Sequence, residues 1–502
     1  MLVGLRLSCA CLSLALTRCG ATPTTRLAAV GVTALAPAGP ARPAPVPVSP
    51  LLRALLDTTI TGHSPAADAR RGLRAGAELR SFYGATYAPA WTQEADSLNA
   101  NAQAALSLLA RAAEHGLCPA NYGGARLRAL RDSLAHPTAP ELPAQRARQQ
   151  AQLEVCLSDA VLTFMRDLNR GRLHPYTVSV REQPGGPAVQ PVAALRAALD
   201  SGTVPAVMVA GQPANREYRQ LQQALARWLA LPTALDSVVQ HQAHFEQAAL
   251  NLERWRWESV LAGPEYVLIN IPAYDLQVVA RDSVLRRHRV VVGAPETTTP
   301  TLSSAISYFT LAPDWHVPRS IATKEMLPHL QKDAGYLDHN NYALYDDRGR
   351  LLEPASIKWS AVTARNFSYT IRQSAGCENA LGNIVFRFAN PYSVYLHDTP
   401  LRQYFARPYR ALSHGCIRLE RPLELAAYLL RREGRPVQLP SEEECARQPR
   451  PHDVRLVRAM PLYIRYATCV VENGRLRFFA DIYHRDEALR RALFGGPALA
   501  QQ

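Results

Sequence analysis

The sequence predicts an α+β protein in which a helical N-terminal half precedes a β-rich C-terminal half. Between residues 51 and 250, apolar residues recur every three to four positions, as in amphipathic helices. From Tyr266 onward they alternate in short runs separated by Pro and Asp-Ser, as in strands of a mostly antiparallel sheet. The chain has 502 residues, 47% of them hydrophobic. A chain of this length is expected to hold about two to four domains with apolar cores.

Helical spacing is clearest in two segments of the first half. In NAQAALSLLARAAEHGL the apolar positions follow helical periodicity, and Gly116 stands where a C-terminal cap is expected. A second, longer helix is predicted over residues 153–173. We therefore expect a helical scaffold domain over residues 51–250, with a Gly- and Pro-rich loop or linker at about residues 181–215.

The second half contains strand-like text in several separate stretches. These are YVLINIPAYDLQVVARDSVLRRHRVVVG, NIVFRFAN, SVYLHD and LYIRYATCVVENGRLRFFADIY, whose Glu-Asn-Gly at residues 472–474 is a turn signal. A helix is predicted at about residues 422–432. We expect a β-rich domain over residues 251–440, completed by C-terminal strands within residues 441–502.

The N-terminus has the pattern of an export signal. An apolar run at residues 7–16 follows a basic residue and is too short to span a bilayer, so residues 1–20 are predicted to be a signal peptide or membrane anchor. Residues 21–50 are predicted to be a Pro- and Ala-rich linker. Cys19 is a candidate lipid-attachment site, although Arg18 departs from the small residue expected before it. Lipidation, simple cleavage and an uncleaved anchor all stay open.

The net charge of +14 raises nucleic acid or an anionic surface as a partner. Only Lys324, Lys332 and Lys358 are lysines, and the arginines are scattered through helical text instead of forming a basic arm. We therefore expect no nucleic-acid partner. Membrane contact is expected only through the possible N-terminal anchor.

Nine cysteines are present without a CxxC pair, which argues against a zinc ribbon or a thioredoxin-type motif. Their scattered positions do not form the framework of a disulfide-rich domain. Whether Cys445 and Cys469 pair stays open, as does the oligomeric state.

The densest cluster of reactive residues is YLHDTPLRQYFARPYRALSHGCIRLERP. In it, Cys416 follows His414 and Gly415, precedes Arg418, and lies nineteen residues after His397. A cysteine nucleophile needs a base, backbone N–H donors for the developing oxyanion, and often a cation for an anionic substrate. All of these elements are present in this segment, with the N–H groups around Gly415 and Cys416 as the natural oxyanion donors.

Two other interpretations of the cluster need no catalysis. A cysteine near a strand end is commonly a small core residue, and nearby histidines are commonly satisfied polar groups. Zinc is a further alternative, because His397, His414 and Cys416 are ligand types. Their spacing is not that of a regular zinc site, and the carboxylate nearby is Asp398. We expect neither a metal nor a cofactor.

The motif SHGCIR, preceded at nineteen residues by HDT, resembles the signature of the L,D-transpeptidase catalytic domain, also called YkuD. RQSAGCENALGNIVFRFANPYSVYLHDTP, DWHVPRSIATKEMLPHL and the terminal DIYHRDEAL resemble the large periplasmic enzymes of Gram-negative type. Upstream, FYGATYAPAW, AAEHGLCPANY and FMRDLNRGRLHP resemble their helical scaffold region. The resemblance covers about residues 75–495 and implies a β-rich catalytic domain with a capping subdomain.

The resemblance implies a role for each residue of the motif. Cys416 matches the nucleophile and His397 the histidine that takes its proton. Gly415 and Cys416 match the oxyanion-hole amides. A backbone carbonyl is expected to orient the histidine, so Asp398 is not expected to complete a triad.

Further positions match substrate-binding residues of the family. Arg418 matches an arginine that holds an anionic part of the substrate. Ser413 and His414 are expected to line the pocket, and Tyr395 lies on the strand that carries His397.

The implied reaction is acyl transfer on the tetrapeptide stems of peptidoglycan, with a cysteine thioester, release of D-alanine and a 3→3 cross-link. Carbapenems are the expected inhibitors. The resemblance places the protein in the periplasm or cell envelope, with stem peptides and an anionic envelope as partners. Three alternatives stay open: a hydrolytic L,D-carboxypeptidase using the same thiol, transfer to another amine acceptor, and a catalytically silent wall-binding protein.

Two segments are notable within this resemblance. Residues 215–253 stand where the large enzymes carry a peptidoglycan-binding module, but they lack its DGxxGxxT phrase, so the module is expected to be shortened or degenerate. Residues 320–372 correspond to the capping segment over the active site and are expected to act as a lid.

Overall fold

The computed structural model describes residues 46–56, 65–93, 97–136, 142–173, 190–232, 238–258, 263–376, 378–435, 439 and 450–495. All of them belong to one compact unit, Val46–Gln502. The signal segment, nearly all of the predicted linker, Cys377 and Cys445 lie outside the described residues, so the predictions made for them stay predictions. No helix in the described ranges has both the length and the apolar content needed to cross a bilayer.

The predicted α+β class is confirmed, with the helices concentrated in the first half. The helices of that half are α1 (Ser49–Leu56), α2 (Pro65–Arg70), α3 (Gly76–Tyr83), α4 (Ala100–Ala110), α5 (Gly124–Ala135), α6 (Pro143–Arg170), α7 (Pro191–Ser201), α8 (Val204–Val209), α9 (Arg216–Leu229) and α10 (Val238–Trp257). The predicted cap at Gly116 is confirmed, because this residue is left-handed (φ +66°) and ends the 3₁₀ turn Ala112–His115.

The loop predicted at residues 181–215 is wrong over most of its described part, because α7 and α8 lie there. The Pro and Gly residues stand at the helix ends. Pro191 is at the first turn of α7, where its missing N–H costs nothing, and Gly202 is the left-handed cap after it (φ +70°). Pro and Gly residues that mark helix ends therefore give this stretch the composition of a loop.

The second half is built on a nine-stranded sheet that closes on itself. The strands of the chain are β1 (Glu265–Asn270), β2 (Asp275–Ala280), β3 (Ser283–Gly293), β4 (Leu302–Leu311), β5 (Trp315–His316), β6 (Tyr342–Tyr345), β7 (Leu351–Leu352), β8 (Thr370–Gln373), β9 (Ile384–Phe388), β10 (Leu396–His397), β11 (Ala411–Ser413), β12 (Ile417–Leu419), β13 (His452–Arg465), β14 (Cys469–Glu472) and β15 (Arg475–Phe478). The order is β11-β3-β12-β10-β9-β4-β13-β1-β2, and β2 pairs with β3 to close the ring. Most pairs are antiparallel, while β1–β13, β10–β12 and β11–β3 are parallel.

One apolar cluster fills the space enclosed by this sheet. Val267, Ile269, Phe309, Phe386 and Leu396 are among its buried members. Helix α14 (Pro422–Arg432), which the sequence predicted, adds leucines to the same cluster. Burial of these side chains therefore fixes the register of the central strands. The register in turn determines which of their side chains face away from the core.

The segment predicted as a cap, residues 320–372, belongs to a small layer with its own core, which extends over residues 315–373 and is called the cap below. Strands β5, β8, β6 and β7 make a four-stranded sheet. Beside it are short helical pieces: α11 (Arg319–Ile321), the π-turn Ala322–Met326, α12 (Leu327–Leu330) and α13 (Tyr336–His339). Their apolar side chains form a cluster separate from that of the large sheet. This layer can therefore keep its own packing if it moves.

The C-terminal strands have two different roles. Strand β13 lies between β4 and β1 and so completes the large sheet. Strands β14 and β15 form a separate hairpin, whose apolar residues pack with those of α9 and α10. The same cluster includes Tyr266 and Tyr463 of the large sheet, and the prediction that residues 441–502 complete the catalytic domain stays a prediction. A final helix, α15 (Asp486–Phe494), follows it.

A buried ion pair fixes α10 to the scaffold helices. Arg256 donates to Glu253 at 3.0 Å and to the carbonyl oxygen of His115 at 2.5 Å. Glu253 also accepts from the N–H of Leu173 at 2.7 Å. Because both charged side chains are almost fully buried, removal of either partner would leave the other charge uncompensated.

Glu253→Gln is expected to destabilise the protein by about 3 kcal/mol, because the buried guanidinium loses its counter-charge while the side-chain volume is kept. The measurement is the midpoint of urea unfolding. Glu487→Gln, which breaks an exposed pair with Arg491, is the control and is expected to change the midpoint little. Equal losses in the two variants would contradict the structural importance of the buried pair.

Candidate active site

Two short parallel strands bring the predicted reactive residues together. Strands β10 and β12 pair with Leu396 opposite Ile417 and His397 opposite Arg418. Leu396 and Ile417 face the apolar cluster. Since side chains alternate along a strand, His397 and Arg418 lie on the other face. The N–H of Ile417 donates to the carbonyl oxygen of Tyr395 at 3.0 Å, which extends the same register by one step.

This register places Tyr395 directly beside Cys416. The backbone N–H and the hydroxyl of Tyr395 both hydrogen-bond to the Cys416 thiol. The ring centroids of Tyr395 and His397 are 5.6 Å apart. Burial raises the pKa of the Cys416 thiol, while the Tyr395 hydrogen bonds and the positive charges of Arg387 and Arg418 oppose that rise. The thiol is therefore protonated at neutral pH, in surroundings that favour its anion.

His397 is held as a neutral base. Its Nδ1 donates to the carbonyl oxygen of Asp398 at 2.5 Å, which leaves Nε2 as the acceptor. The expected backbone partner is thus confirmed. Burial first, and then the charge of Arg418, lower the pKa of His397 to about 3. The carboxylate of Asp398 accepts instead from the N–H of Asn383 at 2.9 Å.

Residues 413–416, which we call the nucleophile loop because they include the predicted nucleophile Cys416, are held by their own hydrogen bonds. Ser413 Oγ donates to the carbonyl oxygen of Cys416 at 2.5 Å and accepts from the N–H of Gly415 at 3.2 Å. Thr299 Oγ1 donates to the carbonyl oxygen of Gly415 at 2.8 Å. Gly415 has φ +113°, a conformation that L residues rarely adopt.

These bonds distinguish the two predicted oxyanion donors. The N–H of Gly415 is engaged by Ser413, whereas in the described part of the chain the N–H of Cys416 has no hydrogen-bond partner. The Cys416 amide is therefore the donor already available to an oxyanion. The predicted substrate contact of the buried Ser413 stays a prediction.

His414 connects the nucleophile loop to the cap. Its Nε2 lies 2.7 Å from a carboxylate oxygen of Glu325, which belongs to the π-turn Ala322–Met326. Both side chains are about half exposed. His397 and His414 thus contact different partners, which does not favour the zinc alternative. Within the described ranges, no three His, Cys, Asp or Glu side chains converge as a metal site.

Arg418 supplies a partly buried positive charge to the site. Its guanidinium lies 5.8 Å from the ring centroid of Tyr404. Its Nη1 is buried and, among the described residues, has no hydrogen-bond partner. An unpaired buried donor of this kind fits an anionic group of a bound substrate.

Two residues that the sequence did not single out complete the surroundings of the thiol. The guanidinium of Arg387 lies 5.1 Å from the ring centroid of Tyr395. The side chain of Trp315, from the cap, hydrogen-bonds to Tyr395. Because His397 pairs with Val385 on β9, Arg387 two residues later lies on the same face as His397. The pairing of β9 with β10 would have been needed to find Arg387.

Two sequence models of known families match the chain. The model described as the L,D-transpeptidase catalytic domain, YkuD, matches residues 264–439, and the model described as a Scaffold domain matches residues 77–225. The first range contains His397 and Cys416. Residues 450–495, with β13 to β15 and α15, lie outside both ranges.

Similar proteins carry the same description. A Haemophilus influenzae protein, whose curated name assigns it provisionally to the L,D-transpeptidases, is 32% identical over 281 residues, which are 55% of this chain and 54% of that protein. The chain thus spans about half the length of this relative. A solved L,D-transpeptidase from Mycobacterium smegmatis is similar over 40% of this chain and 58% of its own, at 16% identity and a TM-score of 0.19. A score this low supports no comparison of the two folds.

The protonation states predict how alkylation of Cys416 by iodoacetamide depends on pH. Because the pKa of the thiol is raised above its ordinary value, the thiolate fraction, and with it the rate, is expected to rise about tenfold per pH unit between pH 6 and pH 8. The rate is measured by mass spectrometry of the peptide that contains Cys416, with Cys416→Ser as the labelling control. An alkylation rate that no longer changes with pH below pH 7 would reveal a preformed thiolate–imidazolium pair. It would contradict a neutral Cys416 thiol beside a neutral His397.

Proposed function

We propose that this protein, whose residues 264–439 match the family model of the L,D-transpeptidase catalytic domain, transfers acyl groups of peptidoglycan tetrapeptide stems through a thioester on Cys416. The observation that carries the proposal is the parallel register of β10 and β12, which sets Tyr395 beside Cys416 and His397 beside Arg418. A nucleophile, a neutral base and a cation thereby share one face of the sheet.

The first half-reaction forms the thioester. Nε2 of His397 takes the thiol proton as the sulfur of Cys416 attacks the carbonyl carbon of the third, diamino acid residue of the donor stem. The N–H of Cys416 stabilises the oxyanion of the tetrahedral intermediate. The bond to D-alanine then breaks, and the protonated His397 gives its proton to the leaving amine. D-Alanine departs and the acyl group stays on sulfur.

The second half-reaction resolves the thioester. The side-chain amine of an acceptor stem attacks the thioester carbonyl, and His397 takes a proton from that amine. The C–S bond breaks, the proton returns to the sulfur of Cys416, and a 3→3 cross-link is formed. Water in place of the amine would give a trimmed tripeptide stem.

The charge around the thiol supports an anionic peptide as substrate. The positive charges of Arg387 and Arg418 both act to lower the pKa of the Cys416 thiol. The buried Nη1 of Arg418 has no hydrogen-bond partner among the described residues. Stem peptides carry several carboxylates. A carboxylate that bound Arg418 would pair with a cation already desolvated by the protein, and such charge-assisted hydrogen bonds are strong.

We also propose that the protein works in the periplasm or cell envelope. The apolar run at residues 7–16 has the composition of a signal-peptide core, and the proposed substrate lies outside the cytoplasm. Cell fractionation of a C-terminally tagged chain tests this location. Recovery of the tagged chain in the cytoplasmic fraction alone would contradict it.

Cys416→Ala is expected to lower the rate of D-alanine release from purified tetrapeptide muropeptides by a factor of about a thousand or more, because the proposed thioester cannot form without this sulfur. Cross-linked and hydrolysed products are separated by mass spectrometry. Cys469→Ala, at a buried cysteine in the C-terminal hairpin, is the matched control and is expected to keep activity if it folds.

The proposal fails if Cys416→Ala releases D-alanine as fast as the parent protein. Tripeptide product without any cross-link would show a carboxypeptidase that uses the same thiol. Binding to sacculi without any release of D-alanine by the parent protein would show a wall-binding protein.

A further inference from the structure

A cavity of about 910 Å³ lies next to the nucleophile loop. His414 and Gly415 line it together with Tyr466 and Arg485 from the C-terminal segment. A volume of this size accommodates a short peptide. Tyr466 and Arg485 therefore belong to a segment, residues 450–495, that lies outside the range matched by the catalytic family model.

Two of the three described arginines that line the cavity form ion pairs with a carboxylate. Arg254 lies 2.6 Å from Asp486, and Arg465 lies 2.7 Å from Glu258. By contrast, the guanidinium of Arg485 has no hydrogen bond or ion pair with any described side chain. Among the lining arginines, Arg485 is therefore the cation still able to take a ligand's carboxylate.

The guanidinium of Arg485 is held in place by aromatic rings. It lies 5.0 Å from the ring centroid of Tyr466 and 5.3 Å from that of Tyr483. The carboxylate of Asp481 is nearby but accepts from the Tyr466 hydroxyl and from the backbone N–H groups of Arg485 and Asp486. The cation is thus pre-positioned without being neutralised by a direct ion pair.

The Tyr483 ring, which the guanidinium of Arg485 contacts, is linked by hydrogen bonds to the nucleophile loop. The Tyr483 hydroxyl donates to the carbonyl oxygen of Gly293 at 2.6 Å and accepts from the N–H of Thr299 at 3.2 Å. Thr299 Oγ1 in turn donates to the carbonyl oxygen of Gly415 at 2.8 Å. A ligand held by Arg485 would therefore have a fixed position relative to the nucleophile loop.

We propose that this cavity binds an acidic stem peptide and that Arg485 is its carboxylate-binding residue. The nature of the ligand rests on the proposed function, while the site rests on the cavity and its unpaired cation. Arg485 acts in substrate binding and not in the chemical step. The C-terminal segment thereby contributes directly to the specificity of the enzyme.

The first test measures binding without turnover. Calorimetry on Cys416→Ala protein is expected to show that adding Arg485→Gln weakens the binding of a tetrapeptide stem about tenfold. Binding of the fully amidated stem is expected to be unchanged, and Arg485→Lys is expected to recover part of the affinity. Arg491→Gln, at an exposed arginine of helix α15, which begins directly after Arg485, is the matched control and is expected to bind as the parent does.

The second test identifies which stem binds the cavity. If it is the donor, Arg485→Gln raises the KM for D-alanine release and leaves kcat unchanged. If it is the acceptor, D-alanine release stays the same and the acceptor KM for cross-linking rises. Either result supports the proposal.

A purely structural role for Arg485 is tested with an uncharged reagent. The rate at which iodoacetamide alkylates Cys416 is expected to be the same in parent and Arg485→Gln proteins, because the reagent has no carboxylate. The proposal is overturned if the stem binds Arg485→Gln with parental affinity. It is also overturned if free and amidated stems lose affinity equally and alkylation changes. Binding by a parent protein that releases no D-alanine would refute the proposed function and leave this site standing.

Discussion

The parallel pairing of β10 with β12 is the constraint on which the active site depends. These strands are only two and three residues long, yet both are held inside a closed sheet by neighbours on either side. Burial of Leu396 and Ile417 fixes the register, because a slip of one residue would turn them out of the core. The same register places His397 and Arg418 on the face away from the core, so burial of the apolar residues determines how the reactive side chains are arranged.

Burial has opposite consequences for the two reacting groups. It lowers the pKa of His397 and raises that of the Cys416 thiol, so both are neutral at neutral pH. Tyr395, Arg387 and Arg418 favour the charged form of the thiol without making it the resting state. In the proposed reaction, these three residues stabilise the negative charge that develops on the sulfur, as electrostatic catalysis requires.

The sequence predicted the parts of the site that are close together along the chain. Cys416 lies in one short motif with its glycine and arginine, so their proximity needs no knowledge of the fold. Arg387 and Trp315 could not be found in this way, because strand pairing places Arg387 beside Tyr395, and the packing of the cap does the same for Trp315. The position of Arg485 beside the cavity follows from how the C-terminal segment packs, which the sequence does not reveal. Periodicity is enough to predict the helices of the first half, whereas Pro191 and Gly202 give residues 181–215 the composition of a loop although both stand at helix ends.

The proposed thioester on Cys416 is tested most directly by the intact mass of the protein after incubation with a carbapenem, the inhibitor class that the family resemblance implies. A single covalent adduct is predicted, located on the peptide that contains Cys416 and absent from Cys416→Ala protein. An adduct that persists in Cys416→Ala protein, on Cys118 or Cys156 for example, would contradict the assignment of Cys416 as the nucleophile.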